Sequence, residues 1–529
     1  MTWRNVRNLY KNICKAKNHN ENVISIFSED NPYVIYDQKH WWSDKWDPLD
    51  YGQDYDFSKT FFVQLSSLIR NVPLPNLSNV NPIDTEYTNQ TIDSKNCYLV
   101  FGGFKNENCL YSDGINECHS SLDLLASQNN ENVYDSTECR NCFNVSFGFK
   151  SSECIESKFI FNCKNCSNCF GCWNLRNKSY CIWNKQYTKE EYNIKIKEFN
   201  LCSYANFLKL KDFYQEKLII VKRRYADIVN SNNVSGSNIE FSKNCRNSFD
   251  INGVSESKYV WRLLTKGGSN NYDITVATKP ELCYEGQGVG AGYNSKFCIG
   301  SGNISNSHYC FSCISGGSNC FGCVSLNNKS YCILNRQYTR EEYEELVPKI
   351  IKHMNDMPYI DKKGRVYKYG EFFPSELSPF AYNETMAQEY YPLTKEQAIE
   401  QGYKWKDKEE RNYSIDIHNT DIPDNINDTD ESIIGKVIEC AHKGTCNQQC
   451  TEAFKLIPEE YQFYKRMNLP IPRLCPNCRH YERLAQRNPM KLWHRQCMKE
   501  GCTNEFETSY APDRPEIVYC DGCYKREVY

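Results

Sequence analysis

Cys446 and Cys450 precede Cys475 and Cys478 near the C-terminus, and Cys497 and Cys502 precede Cys520 and Cys523. Two thiols on a short turn deliver sulfurs to one side of a tetrahedron, and a hairpin or helix returns a second pair to the other side. This is the spacing of a zinc ribbon or treble clef. Each set offers four thiolates and closes the shell, whereas a catalytic zinc keeps one position open for water. The pattern predicts two structural zinc ions and no catalytic residue, with Cys440 or His442 as alternatives to Cys446.

A chain of 529 residues is too long for one ordinary domain. Its hydrophobic share of 40% and aromatic share of 14% supply a core, and a formal charge of -3 gives no global pull toward nucleic acid or membrane. Thirty cysteines would suit a secreted disulfide protein, but the opening MTWRNVRNLYKNICKAKNHN has no apolar core of a signal peptide. No stretch approaches the length of a membrane span either. Thiols in a reducing cytosol, with a virion as the other intracellular setting, are the expectation.

The N-terminus reads as a worn copy of the C-terminus. A shift of 483 residues without gaps superposes Arg4 and Asn5 on Arg487 and Asn488, Tyr10 on Trp493 and Cys14 on Cys497. The ligand positions become Cys14, His19, Asp37 and His40. All are zinc-capable types, so a mixed site is one reading, and a metal-free fold around Trp41 and Trp42 is the other.

A second duplication fills the middle. SNCFGCWNLRNKSYCIWNKQYTKEEY, ending at Tyr192, recurs as SNCFGCVSLNNKSYCILNRQYTREEY, ending at Tyr343. Cys97, Cys118 and Cys139 are 21 residues apart, while Cys298 and Cys320 are 22 apart. Short apolar runs alternate with Asn, Ser and Gly turns, and a period near 21 with such runs is that of a parallel β-solenoid. The expected fold is mainly β with α insertions: a parallel β-solenoid in two duplicated halves, flanked by zinc-ribbon or treble-clef modules.

Thr188 with Glu191 and Thr339 with Glu342 form capping boxes that switch each copy to helix, the first running to about residue 227. Thr394 and Gln397 form another box ahead of an end cap at Gly402, and 416–432 reads as an acidic linker. The expected units are a ribbon-like N-terminal module with an aromatic connector (1–80), a first solenoid repeat (81–193) and a helical insert (194–237). A second repeat (238–345), a helix and connector (346–436) and tandem zinc-binding modules (437–529) follow.

Within the first repeat, Cys163, Cys166, Cys169 and Cys172 approach the spacing of a ferredoxin cluster, but the last gap is one residue short and Trp173 stands where proline is usual. A buried thiol ladder is the preferred reading, ahead of a further zinc.

Arg479, Arg483, Arg487, Lys491 and Arg495 recur every four residues beside the zinc knuckles. On a helix this spacing makes one basic face, bent where Asn488 and Pro489 would start a new helix. Such a stripe could lie on phosphates, or it could be a solvated face that offsets the charge of the sites. From Cys440 onward there are 14 Lys and Arg against 11 Asp and Glu. A four-thiolate zinc carries about -2, so two sites cancel that surplus.

The runs WWSDKWDPLDYGQDYDFSKTFF, NCFGC … NKSYC … NKQYTKEEY, YGEFFPSELSPFAYNETMAQEYYPLTKEQA and RLCPNCRHYERLAQRNPMKLWHRQC resemble an uncharacterised cysteine-rich zinc-ribbon family of candidate-phylum bacteria and large DNA viruses. The resemblance covers nearly the whole chain and implies no established activity. Members sometimes carry a CaiB/BaiF CoA-transferase label, and nothing in this sequence supports that chemistry.

The leading expectation is a non-enzymatic zinc scaffold that recognises nucleic acid or protein, with no membrane partner. An assembly protein of a virion or cell-associated complex is the structural alternative. A β-helix enzyme acting on polysaccharide is the catalytic one, although Asp113, Asp123 and Asp135 form no recognisable acid pair.

Overall fold

The structure is a computed structural model describing residues 1–16, 21–263, 265–314, 316–408 and 413–528. From Asn81 to Trp183 the backbone turns left-handed at every third residue. Glycine enters that region freely and Asn or Asp at small cost, whereas β-branched side chains resist it. No β-branched residue occupies a corner in this run, and Asn recurs there, at Asn96, Asn108, Asn132, Asn144 and Asn168 among others.

From Tyr87 to Gly171 each corner is followed by a buried residue. Cys97, Val100, Gly103, Asn106, Cys109, Ser112, Ile115, Cys118 and Ser121 succeed one another at steps of three, all buried. The interior takes Cys because a thiol is a small apolar group with a weak donor. Cys109 Sγ donates to the Glu107 carbonyl at 3.5 Å and the Cys118 carbonyl at 3.2 Å. Asn106 braces the same interior, donating to the Ile115 carbonyl and accepting from the Cys118 amide.

Strands pair in parallel at an offset of twelve residues, as Lys95 with Glu107, Glu107 with His119 and His119 with Glu131. Four three-residue sides make that offset. The expected period of 21 is thereby corrected: Cys97 to Cys109 is one twelve-residue step, Cys109 to Cys118 is a nine-residue step over three sides, and 21 is their sum. The second run keeps the pattern, as in Cys320 with Cys332, and absorbs insertions at Gly267, Gly268, Gly316 and Gly317, all at positive φ.

The chain is therefore mostly β, with several parallel sheets, two of them seven-stranded, and ten helices among the described residues. None of these sheets closes on itself as a barrel.

Each run ends in a short antiparallel pair, Ser179–Ile182 with Lys185–Gln186 and Lys329–Ile333 with Arg336–Gln337. Capped helices follow both. The boxes at Thr188, Thr339 and Thr394 are all formed. The first insert is two helices, Lys189–Glu198 and Tyr204–Ile219, rather than one reaching residue 227. The acidic segment 416–432 is no free linker, because Ile422 and Ile426 are buried and anchor it to a core containing Leu456 and Tyr464.

The two ends of the chain share one plan. The N-terminal hairpin pairs Tyr10–Ile13 with Asn22–Ser25, and the C-terminal hairpin pairs Trp493–Gln496 with Glu505–Thr508, each bound displaced by the same 483 residues. Ile35–Tyr36 and Val518–Tyr519 follow the hairpins and pair in parallel with Leu74–Pro75 and Arg223–Arg224. Those partner strands lead into the first and second runs.

Candidate metal centres

The first tetrad is built on a hairpin and a helix. Ile438–Glu439 pairs with Ala453–Phe454, placing Cys440 at the end of one strand and Cys450 before the other. Cys475 is the N-cap of helix Pro476–Gln486 and Cys478 lies in its first turn, where proline loses no helical hydrogen bond and the helix dipole favours thiolates. Thiolate sulfurs of Cys440, Cys450, Cys475 and Cys478 all lie within 4.8 Å of one another. Individual separations of 3.5 Å (Cys475 to Cys478) and 4.0 Å (Cys475 to Cys450, Cys440 to Cys478) bracket the ~3.8 Å expected around a metal with bonds of about 2.3 Å.

The second tetrad repeats this construction. Cys497 follows strand Trp493–Gln496, Cys502 precedes Glu505–Thr508, and Cys520 and Cys523 straddle the start of helix Asp521–Val528. Their sulfurs also lie within 4.8 Å of one another. Both tetrads can hold a metal ion. The Cys475 amide donates to Cys440 Sγ and the Cys520 amide to Cys497 Sγ, each at 3.3 Å, so backbone dipoles support the sulfurs.

Within each tetrad the thiols divide: neighbouring thiols push Cys440 and Cys478 up, burial pushes Cys497 and Cys523 up, and others are drawn down. Hydrogen bonding from Cys440 draws the Cys450 thiol down to about 6. Burial opposes ionisation of Cys520, yet Asn504 and the neighbouring thiols bring it to about 6. Cys475 is pulled down further by Cys440, Cys450 and Cys478.

One expected ligand changes. Cys440, not Cys446, completes the first tetrad, because a ligand directly after the first hairpin strand faces the helix start, as Cys497 does in the second. Cys446 lies 3.7 Å from Cys478 and joins His442 in a set that overlaps the tetrad through Cys478. The remaining expected ligands, Cys450, Cys475, Cys478, Cys497, Cys502, Cys520 and Cys523, stand in the two tetrads.

At the N-terminus, Cys14 Sγ lies 3.4 Å from Asp37, whose carboxylate accepts from the His40 amide and caps helix Gln38–Trp41. His19 lies outside the described residues. Among the described residues, neither this group nor the run Cys163, Cys166, Cys169 and Cys172 forms a set of three or more metal-capable atoms within 4.8 Å. The run's spacing of three is that of the inward positions, and each thiol is buried.

The basic stripe is corrected. Arg479 and Arg483, at 6% and 1% exposure, are buried. Arg479 meets Asp123 at 3.3 Å and Glu460 at 3.1 Å, and Arg483 meets Asp123 at 2.9 Å and Asp135 at 3.3 Å. Arg487 holds Glu138 of the first run at 2.6 Å and Asp250 of the second at 2.7 Å. Burial works against the charge of Arg487, but Asp250 and Glu138 hold its pKa well above the ordinary value. Burial raises the Asp123 carboxyl against the pull of Arg479 and Arg483. The helix ends at Gln486, no new helix begins at Pro489, and Arg495 lies on a strand, donating to the Tyr510 and Ala511 carbonyls. Lys491 is exposed and sits over the Trp493 ring at 5.2 Å. Three of the five cations thus face carboxylates inside the molecule.

The acids weighed for catalysis are spent in the same way. Asp113 binds Arg7 at 3.3 Å and Arg262 at 3.1 Å, while Asp123 and Asp135 bind the helix arginines. Asp123, Asp135, Glu138 and Asp250 all stand at left-handed corners.

No protein-family model and no curated protein matches the chain. Among solved structures, it is similar to one described as a "putative acetyltransferase" from Desulfovibrio desulfuricans G20, at 9% identity over 50% of this chain and 69% of that one. The TM-score is 0.10, so this likeness carries no argument about fold or activity. No helix among the described residues is long and apolar enough to cross a membrane.

Proposed function

We propose that the chain is a non-enzymatic zinc-binding scaffold in which two β-solenoid halves are locked by two structural zinc modules and present their outer faces to a protein partner. The observation that carries this reading is the helix Pro476–Gln486. Its first turn supplies Cys475 and Cys478, and its arginines, with Arg487 at its end, reach Asp123, Asp135 and Glu138 on one run and Asp250 on the other. A metal that fixes the start of this helix fixes the joint between the halves. The fixed twelve-residue pairing offset supports the solenoid reading, and closed four-thiolate sets with N–H donors to sulfur support structural zinc.

None of the thirty cysteines is in a disulfide, which supports a reducing, cytoplasmic setting. We assign the basic stripe no part in nucleic-acid binding, since Arg479, Arg483 and Arg487 already pair with carboxylates. Membership of the cysteine-rich family is proposed on the motifs it shares with this chain.

The test is hydrogen exchange before and after zinc removal. The helix Pro476–Gln486 and the strands carrying Asp123, Asp135 and Asp250 should lose protection together. Loss confined to the terminal modules, with those strands unchanged, would remove the locking role.

A further inference from the structure

A cavity of about 590 Å³ opens between the N-terminal segment, the start of the first run and an outer face of the second. Its size is that of a site for a small organic molecule. Trp3, Ile299 and Phe311 form apolar wall, while Gly288, Gly290, Gly300 and Gly302 line the second run's side. A Cβ built on Gly290 would stand 3.5 Å from Gly302 Cα and from Thr278 Oγ1, and one on Gly300 would meet only Ser312 Oγ at 3.9 Å. There is room over the wall at these two positions, whereas a Cβ on Gly302 would press on the Ile314 carbonyl at 2.9 Å.

Several polar groups lining this space lack partners among the described residues. Gln287 is 3% exposed, and neither its amide nitrogen nor its amide oxygen makes a hydrogen bond. Trp3 is 2% exposed and its indole N–H is likewise unmet. Arg4 donates from Nη2 to Gln90, but its Nε and Nη1 are shut from solvent and unbonded. Buried donors normally find acceptors, so this convergence on one cavity points to an absent ligand.

Charge narrows the ligand. Among the described residues, Arg4 is the only charged one lining the cavity, and it has no ion-pair partner there. Asp113, whose field it feels, is already held by Arg7 and Arg262. Burial and Arg262 draw the Arg4 guanidinium down to about 9, as expected of a cation without a counter-ion. One cation among apolar walls suits one negative charge on an apolar body, whereas a phosphate dianion would want more donors.

We propose that this cavity binds a small apolar carboxylic acid, its carboxylate on Arg4 and its body against Trp3 and the glycine wall. Gln287 supplies a further donor and acceptor for polar atoms of the ligand. This site lies apart from both cysteine tetrads and does not depend on the scaffold reading.

The experiment titrates the zinc-loaded full chain by calorimetry and tryptophan fluorescence with 2-naphthoate and octanoate, each beside its neutral amide. At least one acid should bind, and its amide about tenfold or more weakly. Preference for naphthoate assigns a planar aromatic acid, and preference for octanoate an aliphatic one. Arg4→Gln should erase the preference for acid over amide. Gly290→Leu, at a position without positive φ, should fill the cavity and abolish binding while zinc content and unfolding temperature stay unchanged. Should Gly290→Leu fail to fold, the acid-to-amide ratio in wild type and Arg4→Gln decides. The proposal is overturned if neither acid binds below about 1 mM, if acid and amide bind alike, or if folded Gly290→Leu binds as wild type.

Discussion

The N-terminal and C-terminal hairpin units have the same strand bounds at a fixed displacement, yet their ends are held by different physics. In the C-terminal unit, four sulfurs gather between the hairpin and the helix start. In the N-terminal unit, Cys14 and Asp37 occupy two of those positions, and Trp41, at 1% exposure, packs at 4.8 Å from Trp42 and 6.1 Å from Trp46. Its indole N–H donates to the Pro73 carbonyl at 3.2 Å. Both units also hang on a parallel strand, Leu74–Pro75 for one and Arg223–Arg224 for the other. The same backbone plan is compatible with a metal core or an aromatic core, provided its last strand is anchored to the body.

The largest expected separation of the two units comes from chelation. Structural zinc contributes on the order of 10 kcal/mol to small metal-held modules. Stripping the metal, or replacing Cys520 by Ser, should therefore release amide protection across Trp493–Gln496 and Glu505–Thr508 while Tyr10–Ile13 and Asn22–Ser25 keep theirs. Equal loss in both hairpins, read by hydrogen exchange, would erase the distinction.

Trp41→Ala is the reciprocal experiment. Emptying a buried tryptophan site costs about 3–5 kcal/mol, so N-terminal protection should fall in urea while zinc content is unchanged. A variant with wild-type N-terminal stability would show that Trp41 is not what replaces the metal.

A smaller difference concerns pH. His494 sits across the C-terminal hairpin from Glu505 at 3.0 Å and Glu507 at 3.1 Å, and these hydrogen bonds raise its pKa. A raised histidine adds stability below its unfolded value of about 6.5 and loses it as pH rises through the folded value. In zinc-saturated protein, the C-terminal hairpin should therefore be slightly more protected at about pH 6 than at about pH 9. The position matching His494 is Lys11. His494→Lys should abolish that difference, and an unchanged pH response in the variant would place its origin elsewhere.

The duplicated hairpin was legible because Arg4, Asn5, Tyr10 and Cys14 fall on Arg487, Asn488, Trp493 and Cys497 after a gapless shift. Capping boxes were legible because Thr and Glu three residues apart act locally. The twelve-residue pairing offset was not, because cysteine spacing alone mixes twelve-residue and nine-residue steps. The finer signal was the three-residue beat of small residues after Asn, as in Asn96–Cys97 and Asn108–Cys109.

Cys440 was obscured by a nine-residue gap before Cys450, where Cys497 and Cys502 are separated by four. Position relative to the strand, not distance to the next cysteine, decides the ligand. The direction of the arginine face could not be read from a helical repeat, since a charged face points inward when acids await it. Those acids were hidden by the wrong period: Asp123 and Asp135 are twelve residues apart, one pairing offset, and both stand at left-handed corners.

Native mass spectrometry of the purified chain and two variants tests the account most directly. Two zinc ions per chain are expected in the wild type, one in Cys440→Ser and two in Cys446→Ser, since only Cys440 belongs to the first tetrad. A wild type without zinc, or loss of an ion in Cys446→Ser with retention in Cys440→Ser, would contradict it.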